Sequence, residues 1–283
     1  MSKETKPEMT AEQLIEKWGW PYVEEGWKEE DCTDELRADL RSVIRGELTI
    51  TDKPQIAYSE CYVQPFFTFY NADNMAIMKT FKDKEFDLAI VDPPYGIGAG
   101  SSKFINRYTA NKRAAKFYKE NDWDILPKSE YWQELKRVCK NYIVWGGNYF
   151  TEYLEPARCF IVWDKKTGAN SYADCELALT NIDGNSKIVT KFWLGAHAED
   201  NDGRIHPTQK PIYVYEFLLK EYAKDGFKIL DTHLGSGSIA IAIDKANTLD
   251  KKNLTFVGIE LDPDYFRAAV ERFKNHKRQC VLF

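Results

Sequence analysis

Apolar residues fall into two regimes along this chain. Between Thr10 and about Leu48 they recur at helical intervals among many charges, interrupted once at Gly19, Trp20 and Pro21, and this spacing predicts two or three short helices. Thr33 and Glu35, ahead of Leu36, Leu40, Val43 and Ile44, predict a capped amphipathic helix whose stripe packs on something. After Ile50 the pattern changes. Apolar runs of strand length stand at Asp87–Val91, Tyr142–Trp145, Phe160–Trp163, Leu177–Thr180 and Ile188–Trp193. Helical periodicity marks Met75–Phe81, Glu130–Lys140, Ile212–Ala223, Ser238–Ala246 and Asp264–Lys277, the last two following runs that end in Asp231 and Glu260. Such alternation predicts an α/β fold with a mostly parallel sheet over residues 59–283 and a small helical extension over residues 1–58.

The 283 residues suit one large domain with an appendage. Hydrophobic residues at 43% and charged residues at 29% exclude disordered and low-complexity classes. No stretch approaches the ~18 apolar residues of a membrane span, and the start lacks the apolar core of a secretory signal, so a cytoplasmic protein with no membrane partner is expected. Six cysteines without a Cys-x-x-Cys pair or clustered histidines predict buried thiols and no metal site. The net charge of −5 is unevenly spread: residues 1–58 hold 14 acids against 8 bases, which leaves the rest of the chain slightly positive. A local cationic surface there is compatible with a nucleic-acid partner.

Two constellations carry chemistry. Phe227–Asp231, then Gly235-Ser236-Gly237 and a helical run, reads as strand, glycine turn, helix, which is how an open α/β sheet builds a ligand crevice. Helix N-terminal amides there favour an anionic group, and Glu260, at the end of the next strand, can accept from two ribose hydroxyls. A dinucleotide loop would place its third glycine at Ala240, a substitution that pattern sometimes accepts, so a dehydrogenase stays open. Asp231 beside the turn weighs against it, because a carboxylate repels a pyrophosphate and attracts an ammonium. The second constellation is Asp92-Pro93-Pro94-Tyr95, where a buried strand stops. Two prolines hold the corner rigid and supply no amide donor to compete for the Asp92 carboxylate or the Pro93 carbonyl. Two fixed acceptors match the two N–H groups of an exocyclic amine, and Tyr95 offers a ring on which a base can stack.

Asp92-Pro-Pro-Tyr95, the glycine loop, His206-Pro-Thr-Gln-Lys210-Pro and Gly258-Ile-Glu-Leu-Asp262 together resemble the amino-methyltransferases that move a methyl from S-adenosylmethionine to adenine N6 or cytosine N4 in DNA. The resemblance runs from about Phe67 to Arg272, and the motif order is similar to the permuted β-type arrangement of bacterial and phage restriction-modification enzymes. It implies a Rossmann-like methyltransferase fold, a twisted sheet with helices on both faces, and S-adenosylmethionine as cofactor. It implies that Asp92 and the Pro93 carbonyl bind the target amine, that Pro94 shapes the corner, and that Tyr95 stacks on the flipped base. Around the cofactor it assigns Asp231, Gly235, Ser236 and Gly237, together with Asp92, to the methionine portion, Glu260 to the ribose, Asp73 to the adenine, and Thr208 and Lys210 to the carboxylate. His233 stands in the cofactor loop where phenylalanine is commoner in the family. An acid at position 92 resembles the adenine-specific members, with cytosine N4 as the alternative within the class. A non-catalytic DNA-binding scaffold is the alternative outside it.

Residues 101–119 carry Lys103, Arg107, Lys112, Arg113, Lys116 and Lys119 with no acid, interleaved with four aromatic residues, and predict DNA contact. Residues 165–204 occupy the place of a target-recognition region. That region is short, so recognition is loose, shared with a second copy in a homodimer, or carried by the N-terminal extension. The tail Gln279–Phe283 resembles the Q-x-x-L-F segments that bind bacterial sliding clamps; a last core strand is the preferred reading, with the clamp as alternative.

Overall fold

The structure, a computed structural model, describes residues 8–9, 49–50, 58–97, 124–167, 173–192, 205 and 209–279. In chain order the strands are β1 (Glu8–Met9), β2 (Thr49–Ile50), β3 (Glu60–Gln64), β4 (Phe67–Asn71), β5 (Phe86–Val91), β6 (Cys139–Trp145), β7 (Phe160–Asp164), β8 (Cys175–Thr180), β9 (Lys187–Thr190), β10 (Lys228–Asp231) and β11 (Thr255–Glu260). The helices are α1 (Asn74–Met78), α2 (Ser129–Val138), α3 (Ile212–Tyr222), α4 (Ser238–Leu249) and α5 (Pro263–Gln279). β1 and β2 pair with each other in parallel; the helices expected between them lie outside the described residues.

The other nine strands form one sheet in the order β3-β4-β11-β10-β5-β6-β8-β7-β9. Its centre, β4-β11-β10-β5-β6, is parallel throughout, while β3-β4, β6-β8 and β8-β7 are antiparallel. A parallel strand is covered on both faces, which is why β5 reads as an almost unbroken apolar run. Leu88, Ile90, Ile143, Trp145 and Ile229 point to the face covered by α3, α4 and α5; Ala89, Val91, Tyr142, Val144 and Leu230 point to the face covered by α1 and α2. The result is a doubly wound, Rossmann-like α/β sheet, as the alternation and the resemblance implied.

Boundaries moved where tertiary contacts overrode local pattern. The helix expected to reach Phe81 stops at Met78, and Arg137 of α2 donates to the carbonyl oxygens of Met78 and Phe81 at 2.9 and 2.8 Å. The helix expected to reach Lys140 gives way at Cys139, which turns extended and registers opposite Phe86 in the sheet. The run expected to reach Trp193 is a strand only to Thr190, where its pairing with β7 ends. The β3–β4 hairpin has no counterpart among the expected elements. Residues 175–180 and 187–190, inside the region expected to recognise the target, belong to the core sheet. Among the described residues no helix is long and apolar enough to cross a membrane.

Candidate active site

β5, β10 and β11 lie side by side and parallel, so their carboxyl ends open on one edge of the sheet. Asp92 follows β5, Asp231 ends β10 and Glu260 ends β11. Three acids from distant parts of the chain thus gather at one edge of the sheet. Burial pushes the Asp231 carboxyl up to about 8, the His233 amide opposing this and the charges of Asp92 and Glu260 adding to it. Burial also pushes Glu260 up to about 7, against hydrogen bonds from the amides of Asp262 and Gly235 at 2.9 and 2.8 Å. Buried carboxyls crowded in this way are poised to receive a cation or hydroxyl donors.

The glycine turn supports that edge. Gly235 and Gly237 adopt positive φ of 52° and 69°, a conformation that disfavours other residues, and Gly237 caps α4. The Ser236 hydroxyl lies 3.1 Å from that of Ser238, and Arg272 donates to the Ser236 carbonyl and the Ser238 hydroxyl at 2.9 Å each. Ser236 therefore contributes main chain to the turn, its side chain being spent on the packing beneath α4. His233 packs edge-on to Tyr131. Burial lowers its imidazole to about 3, so the ring is neutral. The Asn74 amide lies 3.2 Å from Nε2 and the Thr232 hydroxyl 2.9 Å from Nδ1. The amide nitrogen of Asn74 can only donate, which places the ring proton on Nδ1. Asp73 is exposed at the start of α1 and caps it, Oδ1 accepting from the Met75 amide at 2.9 Å. It follows β4, whose Asn71 pairs with Glu260.

The Asp-Pro-Pro-Tyr corner is more crowded than its sequence implied. The prolines supply no donor, yet both carboxylate oxygens of Asp92 are engaged: Oδ1 accepts from the Tyr95 hydroxyl at 2.5 Å and Oδ2 pairs with the Lys210 ammonium. Tyr95 stacks on Tyr149 with centroids 5.0 Å apart and planes within 15°. Beneath it lies Gly146, at φ 64°, where a Cβ atom would overlap the Tyr95 ring and sit 2.6 Å from its Cζ. Burial, then the nearby Asp92 charge, holds the Tyr95 and Tyr215 phenols well above their ordinary range, so both stay neutral.

Lys210 was expected beside a cofactor carboxylate. It is only 3% exposed and bridges Asp92 to Glu176 of β8, whose Oε2 lies 3.1 Å away, while its ammonium sits 5.2 Å above the Trp145 ring. Burial alone would lower the lysine; Asp92 and Glu176 outweigh it, and the net shift is upward. Burial likewise opposes ionisation of Glu176, which Lys210 and Lys165 overcome. Glu176, Trp145, Tyr149 and Asn74 were missed by sequence reasoning, and only the polar residue within the strand Cys175–Thr180 gave a hint of one of them. Thr208 and the six cations between Lys103 and Lys119 lie outside the described residues, as do Cys280–Phe283; Gln279 closes α5. Among the described residues no cluster of three or more His, Cys, Asp or Glu could hold a metal.

A family model described as DNA methylase matches residues 130–271. The type II methyltransferase M2.LlaDCHI of Lactococcus lactis subsp. cremoris is 24% identical over 247 residues, covering 71% of this chain and 87% of that one. M2.DpnII of Streptococcus pneumoniae is 24% identical over 249 residues, covering 72% and 88%. Among solved structures, an M1.HpyAVI–SAM complex aligns with a TM-score of 0.46 at 19% identity, covering 73% of this chain and 98% of that chain.

Proposed function

The chain belongs to the DNA methylase family of N6 and N4 amino-methyltransferases, and we propose that within it the protein methylates the exocyclic N6 of a flipped-out adenine in DNA. The observation that carries this reading is the convergence of Asp92, Asp231 and Glu260 on one edge of the sheet, with the charges of both outer acids felt at Asp231. The strand edge fits S-adenosylmethionine: a cationic amine would settle beside Asp231, ribose hydroxyls would donate to Glu260, and Gly235, half-buried and without a side chain, leaves room beside them. When bound, that cofactor supplies a sulfonium methyl.

The chain's own residues do the rest. Asp92 and the Pro93 carbonyl accept the two N–H groups of the target amine, which turns the nitrogen lone pair out of conjugation and toward the methyl. The base would stack on the Tyr95–Tyr149 pair, whose outer ring, Tyr149, is exposed. As the N–C bond forms and the S–C bond breaks, the nitrogen becomes positive; Asp92 stabilises that charge until the surplus proton leaves to water. An acid at position 92 supports adenine. The cations from Lys103 to Lys119 are assigned to backbone phosphates, whose recognition carries no sequence information.

The test is incubation with labelled S-adenosylmethionine and unmethylated DNA, followed by nucleoside analysis. N6-methyladenine is expected. Label in N4-methylcytosine would overturn the choice of base, and label in neither would overturn the activity.

A further inference from the structure

Lys210 occupies the place the reaction needs for its substrate. Its ammonium sits on Asp92 Oδ2, 3.5 Å from the Tyr95 hydroxyl, and is almost wholly buried. A nitrogen that carries positive charge and donates to Asp92 is what the target amine becomes as it is methylated, so amine and lysine compete for the same oxygen. The amine can win only if the lysine keeps a partner, because an uncompensated buried ammonium is heavily penalised. Glu176 offers one without any move toward solvent: its Oε2 lies 3.1 Å from Lys210 Nζ, while its Oε1 is held by Lys165 at 2.6 Å.

We propose that Glu176 is a positioning residue that takes over the Lys210 ammonium when the target amine enters, so that Asp92 exchanges a place-holding lysine for its substrate. This rests on the amino-methyltransferase reading above. The position of the residue adds a link between regions: Glu176 and Lys165 both come from the segment expected to recognise the target, and through Lys210 they reach the reacting nitrogen.

Glu176→Gln, Glu176→Asp and Glu176→Gln/Lys210→Met, made in the full chain, test this against unsubstituted protein by single-turnover methylation of unmethylated DNA, with DNA and cofactor affinities measured alongside. Glu176→Gln should lower the methylation rate about 10- to 100-fold, with both affinities within about threefold, since the lysine then stays on Asp92. Glu176→Asp should recover most of the rate. The double variant should be faster than Glu176→Gln alone, which a merely structural glutamate would not produce. An unchanged rate in Glu176→Gln, loss of its cofactor binding, or a double variant no faster than the single would each overturn the proposal while leaving the activity of the unsubstituted chain intact. No methyl transfer by the unsubstituted chain would instead overturn the functional reading, and this inference with it.

Discussion

The two ends of the parallel strands at the centre of the sheet hold their acids in different ways. At the amino end Asp87 receives Lys140 Nζ at 2.7 Å and the Lys228 amide at 2.9 Å, and these donors overcome burial to hold its carboxyl below the usual range. Nearby Glu155 is likewise lowered, against burial, by Lys136 and Tyr142. A cavity of about 490 Å³ opens at that end, yet its lysines are occupied: Lys84 donates to the carbonyls of Lys136 and Cys139, and Lys136 pairs with Glu155. At the carboxyl end, burial and like charge push Asp231 and Glu260 upward. One end has its charges compensated from within the chain. The other leaves the Asp231 and Glu260 carboxyls raised beside an Asp92 already paired with Lys210, a pattern expected of a site built for ligands.

The largest contrast should come from removing one acid at each end. Asp92→Ala should abolish methyl transfer, a loss of at least about a thousandfold, with cofactor binding still measurable by calorimetry. Retained activity would remove Asp92 from the chemistry.

Asp231 sharpens the comparison through protons. With its carboxyl near 8 it is largely protonated at pH 7, and a cofactor ammonium beside it would favour the ionised form. Binding near pH 7 should therefore release close to one proton, read as a dependence of calorimetric heat on buffer ionisation enthalpy, and Asp231→Asn should remove most of that release. The same shift sets stability. An acid whose folded value is raised contributes stability that is complete below its unfolded value near 4 and is lost as pH rises toward 8. Denaturant titrations should show Asp231→Asn gaining on the unsubstituted protein across that window, by a few kcal/mol at most at pH 8.

Neutralising three of Lys103, Arg107, Lys112, Arg113, Lys116 and Lys119 should weaken binding of every DNA sequence and lower the slope of log affinity against log salt by about 3. An unchanged slope would withdraw the assignment. The smallest effect should follow Asp87→Asn at the amino end: a stability loss of about 1 kcal/mol or less in urea titrations, with methylation unaltered.

The same contrast explains what was legible in the sequence. Strands buried on both faces announce themselves as apolar runs, and an acid or a glycine turn at the end of such a run marks the ligand edge, so Asp92, Asp231, Gly235 and Glu260 were visible in one dimension. Glu176 was not, because β8 runs antiparallel to β6 and its register with Trp145 and its neighbours is a long-range property. The partnership of Lys210 with Asp92 was hidden for the same reason. The β3–β4 hairpin escaped because its turn uses Pro65 and Phe66, the latter at φ 71°, in place of the Asn-Gly or Gly-Gly pair that ordinarily signals a tight hairpin.

The bare backbone at Gly146 ties the corner to a second strand. Because any side chain there would intrude on the Tyr95 ring, the position of that ring is moulded by main chain at the end of β6, the next strand along the chain. Positions 95 and 146 are therefore sterically coupled: alanine at 146 would force the Tyr95 ring to tilt away, and with it the hydroxyl that donates to Asp92.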